Sequence, residues 1–295
     1  MNIKEFTEQM KSSISDILQK EVTILEKLKI NGIYSYGIRI SEPDSNIGIT
    51  IYLEPFFEKF LNTDNWPRTV EYVLDFYRNY DHSDSLNMEW FFDFNQVRSK
   101  LYYILVNYES NEELLCKVPY TRFLDLAKIY YAQCPLGESN TGNILVRNEH
   151  MEDWGISNYE LDKAAEENTP ILYPACITSL TDAIGLENLL GVPIELPDEP
   201  LIPMFALSNT KSDYGASAIC YQKILEDFSQ KVQDDLILLP SSVHEMILMP
   251  LHKNDDIASH KETVYDANRC LLEPSEFLSD NVYLFSRQDK QIMIA

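Results

Sequence analysis

Positive charge is scarce in this chain: 24 Lys and Arg stand against 47 Asp and Glu, for a formal net charge of −23. Duplex binding draws on Lys and Arg to neutralise phosphates, and no basic cluster supplies that footprint, so no direct nucleic-acid binding is expected. Cysteine is sparse too. Cys116, Cys134, Cys176, Cys220 and Cys270 are odd in number, widely spaced and without a C-x-x-C pair. That excludes a disulfide framework and a zinc knuckle, and suits buried thiols in a reducing cytoplasm. No apolar stretch approaches the ~20 residues of a membrane span, and the opening Met1-Asn2-Ile3-Lys4-Glu5-Phe6 lacks the charged-then-apolar design of a signal peptide. A cytoplasmic protein with no membrane partner is expected. Among the 9 glycines there is no Gly-x-Gly-x-x-Gly, and the stretch from Gly137 to Gly142 lacks the Gly-Lys-Ser/Thr ending of a phosphate loop. No cofactor is expected.

Apolar and aromatic residues, in contrast, are plentiful. Of 295 residues 45% are hydrophobic, and 18 Tyr, 13 Phe and 3 Trp run from end to end. Such a chain can bury a substantial core in one large domain or two intimate ones, and no long solvated tail is expected. The acidity has two readings. It either solubilises the protein or imitates nucleic acid so as to occupy a basic protein.

Hydrophobic spacing predicts a first amphipathic helix over 3–28, with Phe6, Met10, Ile14, Ile17 and Leu18 on one face. Asn31-Gly32 breaks it. Strands are predicted over 33–40 and 47–53, joined by the turn-rich 41–46, and helices over 55–61 and 66–80, the latter with Pro67 in its first turn. After a polar break at 81–85, the runs 100–107 and 122–133 fit either helix or buried strand. For the second a strand is preferred, paired through a long loop with a strand over 143–147. Ser157 and Glu160 form a capping box that opens a helix ending at Thr169-Pro170. The Pro-rich 191–203 is the best linker. Beyond it the predicted elements are strands over 204–207 and 216–220, a helix over 221–232, a hairpin over 236–249 with its reversal at 240–244, a helix over 257–268 and a strand over 281–286.

Pro240-Ser241-Ser242-Val243-His244-Glu245 is the polar stretch that most invites a catalytic reading. Its His-Glu pair compares with the zinc-binding H-E-x-x-H, but Leu248 stands where the second His would be, so no metal is expected. Ser242, His244 and Glu245 are weak candidates for a hydrolytic site, against a reading in which they satisfy turn amides. Asn148, His150, Asp153 and Trp154 could line a ligand pocket or simply precede a helix. Asp125 lies in an apolar run, where a carboxylate is either paired or raised in pKa. Asn209 opens a loop to Gly215 that presents Lys211 among hydroxyls, compatible with anion binding but of ordinary turn composition.

Several segments together resemble a family of uncharacterised proteins from low-GC Gram-positive gut bacteria, known as domain of unknown function fifty-six eighty-eight. They are Ile51-Tyr52-Leu53-Glu54, Val118-Pro119-Tyr120, Phe123-Leu124-Asp125-Leu126-Ala127, the stretch from Asn148 to Ile156, Glu167-Asn168-Thr169-Pro170, Leu207-Ser208-Asn209, Gly215-Ala216, the stretch from Leu239 to Glu245, and Leu278-Ser279-Asp280-Asn281-Val282-Tyr283. The resemblance spans nearly the whole chain and brings no activity with it. It implies a full-length cytoplasmic bacterial protein, similar to members in chromosomal and mobile-element settings. Where that family tends to have Ser before the His, this chain has Glu149 before His150.

The expected fold class is α+β, with mainly antiparallel β-hairpins packed against amphipathic helices, because hairpin signals outnumber strand-helix-strand alternation. The expected division is an N-terminal region over 1–190 and a C-terminal unit over 204–295, packed together as one globular body. The leading functional expectation is a non-catalytic binding or accessory protein with a protein partner, of which an acidic nucleic-acid mimic linked to mobile elements is a special case. The alternative is a hydrolase-like enzyme centred on Ser242, His244 and Glu245.

Overall fold

Hydrophobic spacing along the first helix decides what it covers. In the computed structural model, which describes residues 1–41, 49–79, 89–136, 140–180, 203–221 and 223–295, helix α1 (Ile3–Leu18) buries Phe6, Met10 and Ile14. These residues stand four apart, so they share one face. The Asn2 side chain accepts from the Glu5 N–H and the Glu5 carboxylate accepts from the Asn2 N–H, which closes a capping box. The helix stops ten residues earlier than its charge pattern suggests. Gln19 adopts a left-handed conformation, and β1 (Val22–Leu28) follows. The β-branched run Val22-Thr23-Ile24 favours strand, and pairing with β2 (Tyr34–Ile40) through the Asn31-Gly32 reversal secures it. β3 (Ile49–Tyr52) extends this antiparallel sheet, and α2 (Glu54–Thr63) and α3 (Trp66–Arg78) complete the unit. Its core joins the α1 face to Ile38, Ile40, Ile51, Val73 and Leu74.

The chain divides into two compact units, residues 1–89 with 135–141, and residues 90–134 with 142–295. This division falls elsewhere than the expected 190–204 boundary, and β8 and β9 pair from either side of that linker. The turn expected at 41–46 falls almost wholly outside the described residues, and the break at 81–85 and nearly all of 191–203 lie outside them.

In the second unit the short helix α4 (Phe94–Val97) leads to β4 (Leu101–Asn107), which resolves the first ambiguous run as a buried strand. α5 (Glu112–Leu115) precedes β5 (Tyr120–Phe123), which pairs with β6 (Leu126–Leu136); β7 (Asn140–Leu145) pairs with β6 as well. The order β4-β6-β5 leaves β4 at an edge. Side chains cover that edge in place of another strand: the Tyr103 N–H donates to Thr169 Oγ1 at 3.1 Å and the Leu105 N–H to Ser217 Oγ at 2.9 Å.

Helices α6 (Asn148–Trp154) and α7 (Asn158–Leu172) follow, the second opened by the expected Ser157–Glu160 capping box. α7 runs through Pro170, where an end was expected. Pro170 stands two residues before the helix end, where its missing N–H and its ring disturb the last turn alone; the Thr169 hydroxyl donates to the Ala165 carbonyl, and the Tyr173 N–H closes the last turn on Thr169.

The second sheet of this unit is antiparallel throughout, in the order β13-β12-β10-β11-β9-β8. Its strands are β8 (Ala175–Ser179), β9 (Phe205–Asn209), β10 (Leu236–Ser242), β11 (Glu245–Pro250), β12 (Tyr283–Ser286) and β13 (Gln291–Ile294), the last of which was not anticipated. The strand expected over 216–220 is instead part of a 3-10 helix, Gly215–Cys220. The small Gly215, Ala216, Ser217 and Ala218 let the backbone lie close to β4 and β9. α8 (Ile224–Val232) and α9 (Ile257–Cys270) complete the unit. The fold is α+β, with antiparallel sheets and packed helices, as expected.

The hairpin over 236–249 is present, with Leu238 opposite Leu248, but its reversal is shorter than expected and consists of Val243 and His244 alone. Pro240 lies within β10, opposite Met246. Pairing of β10 with β12 covers only Leu236–Leu238, and the register shifts after Pro240, so the missing N–H falls where the ladder has already ended.

Candidate functional site

The two-residue turn projects His244 toward the loop that follows β9. The Tyr214 N–H donates to His244 Nδ1 at 3.2 Å, so the neutral imidazole carries its proton on Nε2. Nε2 lies 4.0 Å from Glu276, and Nδ1 lies 3.8 Å from Asp213. The Ser242 hydroxyl accepts the main-chain N–H of His244 at 3.0 Å, while Ser241 Oγ donates to Glu245 at 3.0 Å. Ser242, His244 and Glu245 are therefore neighbours whose polar atoms are spent on separate, mostly local bonds. No Ser-to-imidazole relay joins them. Among the described residues no three His, Cys, Asp or Glu are grouped to hold a metal.

Asn209 is buried and organises the loop. Its Oδ1 accepts from the N–H groups of Lys211 and Asp213, and its Nδ2 donates to the Asp213 carbonyl at 2.6 Å. Such Asx-type bonding mimics a backbone turn. Ser212 (φ 52°) and Tyr214 (φ 49°) are both left-handed, an uncommon state for residues with a Cβ. Strain of this kind persists only where the surroundings over-determine it. At Tyr214 they do so through the hydrogen bond to His244, and the tyrosine ring lies 5.5 Å from the imidazole.

Beneath this loop is a narrow crevice with about 10 Å³ of free space, walled by Tyr102, Tyr103, Tyr173, Tyr214, Tyr221 and Asp213 among others. The Tyr102 and Tyr173 rings lie 4.8 Å apart, and the Tyr221 hydroxyl donates to the Tyr173 carbonyl at 2.9 Å. Desolvation raises the phenols of Tyr102, Tyr103, Tyr214 and Tyr221 above the ordinary range, with smaller contributions from neighbouring phenols, thiol or carboxylates. A raised folded-state pKa contributes stability that is complete below the unfolded value of about 10 and is lost as pH rises through the folded value. Stability should therefore fall from about pH 10 upward, and native tyrosinate absorbance should lag behind that of the unfolded chain. Superimposable absorbance titrations of native and denatured protein would contradict this.

The other expected group stands elsewhere. α6 places His150 Nδ1 as acceptor for the Arg147 N–H at 3.0 Å, and the ring packs edge-on against Phe91 at 4.9 Å. Desolvation, followed by the charge of Arg147, lowers the His150 pKa. Trp154 Nε1 donates to the Phe91 carbonyl at 2.7 Å, Asn148 Nδ2 donates to the Cys116 carbonyl at 3.2 Å, and Asp153 is exposed. These contacts anchor α6.

Two polar centres carry more of the fold than the spacing suggested. Leu124 (φ 57°) and Asp125 form the tight turn between β5 and β6. The Asp125 carboxylate accepts from Ser279 Oγ (2.7 Å), Asn281 Nδ2 (3.0 Å) and the Tyr283 hydroxyl (2.8 Å). Paired was one of the two states expected for it. Lys128, on β6, was overlooked. Its ammonium lies 2.6 Å from Glu166 and 3.5 Å from Asp162, which stand four apart on α7. Burial pulls this lysine's pKa down, but Cys220, Glu166 and Asp162 outweigh it and hold the group above its ordinary value. Desolvation pushes the Cys220 thiol up to about 12. The available signal was a single charge inside Leu126-Ala127-Lys128-Ile129-Tyr130-Tyr131.

Segments that carry the family resemblance but lie far apart in sequence thus meet in space. Asp125 joins the 123–127 and 278–283 segments, and His244 joins the 239–245 segment to the loop beginning at Asn209. No curated protein and no solved structure matches the chain. A family model described as "Family of unknown function (DUF5688)" matches residues 3–287, and the chain belongs to that family.

Proposed function

We propose that the protein is a non-catalytic binding or accessory protein that works through contacts with a basic protein partner in the cytoplasm. The observation that carries this reading is the way the hairpin tip spends its polar atoms. The Ser242 hydroxyl and the His244 imidazole both accept main-chain N–H groups, which shapes and rigidifies a surface without leaving a base aligned on a nucleophile. The net charge of −23 supplies the complement to a basic surface and makes association fast and salt-dependent. A nucleic-acid mimic is the special case in which the partner's basic surface normally holds DNA or RNA.

The test begins with capture from native cytosol and continues with the purified partner. A basic protein forming a stoichiometric complex is expected, with affinity falling as salt rises and retained in His244→Ala. Competition by duplex DNA would identify the mimic. Ester or phosphoester hydrolysis by the purified chain, abolished in both Ser242→Ala and His244→Ala, would overturn the reading in favour of a hydrolase.

A further inference from the structure

One nitrogen of His244 faces two partners that exclude each other. In the neutral ring Nδ1 is a bare lone pair, and it accepts the Tyr214 N–H at 3.2 Å. In the imidazolium both nitrogens carry protons, so Nδ1 can only donate and the Tyr214 N–H loses its acceptor. Carboxylates flank the ring for that second form. Asp213 lies 3.8 Å from Nδ1 and Glu276 lies 4.0 Å from Nε2. The remaining charged groups of the neighbouring segments are engaged elsewhere: Glu245 takes the Ser241 hydroxyl, and Lys211 lies 4.1 Å from the centroid of Tyr173.

The two sides of this contact are not equally fixed. Ser242 Oγ accepts the His244 N–H, Ser208 Oγ donates to the His244 carbonyl, and the Val243 N–H donates to the Glu276 carbonyl at 2.8 Å, so the hairpin tip and Glu276 are fastened to each other and to β9. Across from them, Tyr214 holds its left-handed backbone (φ 49°) against the imidazole. Strain of that kind is released when the bond that over-determines it goes. Asn209 anchors the Asp213 main chain through both its N–H and its carbonyl, which leaves the Asp213 carboxylate to close on the ring by rotation of its own side chain.

We propose that His244 is a pH-sensitive latch on the loop from Asn209 to Gly215. Neutral, it pins Tyr214 in the left-handed state. Protonated, it gives up the Tyr214 amide and donates from Nδ1 to Asp213 and from Nε2 to Glu276, and Tyr214 relaxes with its ring leaving the wall of the tyrosine crevice. The proton comes from solvent, in the interval of about pH 8 to pH 5 in which imidazoles gain it. The latch is independent of the proposed basic partner.

The full chain is labelled with 15N-tyrosine, and the Tyr214 amide signal is identified by its absence from Tyr214→Phe. Lowering the pH from about 8 to about 5 should shift this signal in one single-proton transition that coincides with titration of the His244 ring carbons. Exchange of the Tyr214 amide with solvent, taken relative to an unstructured peptide at the same pH, should rise about tenfold or more as the local bond opens. His244→Asn sets an amide oxygen near the place of Nδ1 and does not titrate, so its Tyr214 signal should stay fixed over the whole interval. In the Asp213→Asn, Glu276→Gln double variant the transition should persist but move to lower pH, because the imidazolium has lost its acceptors. A Tyr214 amide that stays still while the His244 ring titrates overturns the latch, and so does a ring that does not titrate in this interval. An amide transition of native size in folded His244→Asn overturns it as well. The native measurement decides the matter even if a variant fails to fold.

Discussion

Gly215→Ala should destabilise the second unit by about 3 kcal/mol or more, the upper range for forcing atoms into a packed site. A Cβ at this position would lie 2.5 Å from the His244 carbonyl oxygen and 2.7 Å from the Asn209 nitrogen, and would overlap Ser208 Oγ. Ser208 could rotate away only by giving up its bond to the His244 carbonyl. The two backbone atoms belong to β9 and to the hairpin turn and can retreat only by separating the loop from the tip. Chemical denaturation showing Gly215→Ala within about 0.5 kcal/mol of the native chain, the usual spread of a surface substitution, would mean that the approach is looser than described.

Asp125→Ala should cost about 3 kcal/mol, because unmade hydrogen bonds at buried donors are each expensive. The carboxylate satisfies Ser279, Asn281 and Tyr283, of which Ser279 and Tyr283 are buried. Truncation strands all three at once. Asp125→Asn, with one acceptor oxygen and a donor where the other stood, should lie between the native chain and the alanine variant. Denaturant unfolding ranks the three, and an alanine variant as stable as the native chain would sink the account. Such an outcome would also release Asp125 from a structural role and reopen it as a functional group.

Much of the fold was legible because it depends on local rules. The 3.6-residue spacing of Phe6, Met10 and Ile14, the Ser157–Glu160 box and the hairpin through Leu238 and Leu248 all declare themselves over a few residues. The misreadings have equally physical origins. Residues 22–28 carry enough charge to resemble a helical face, and only pairing with β2 makes them a strand. Gly215–Cys220 has no strong intrinsic preference, so its contacts with β4 and β9 decide its form. At Pro240 the strand continues because β12 no longer pairs there, a fact of the neighbouring strand and not of the proline.

By itself the sequence determined an acidic chain with antiparallel hairpins packed on amphipathic helices, and it pointed to Asp125, Asn209 and His244 as polar residues needing an explanation. Tertiary structure alone decided what each of them does. Asp125 meets Ser279 across 154 positions, His244 receives the Tyr214 amide across 30, and the crevice wall brings Tyr102 on β4 to Tyr173 just beyond α7. Hydrogen bonds and ring contacts act over a few ångströms in space, whereas periodicity and capping act over a few residues of chain. Polar side chains far apart in sequence therefore acquire partners, and with them a role, only when the sheets and helices have closed.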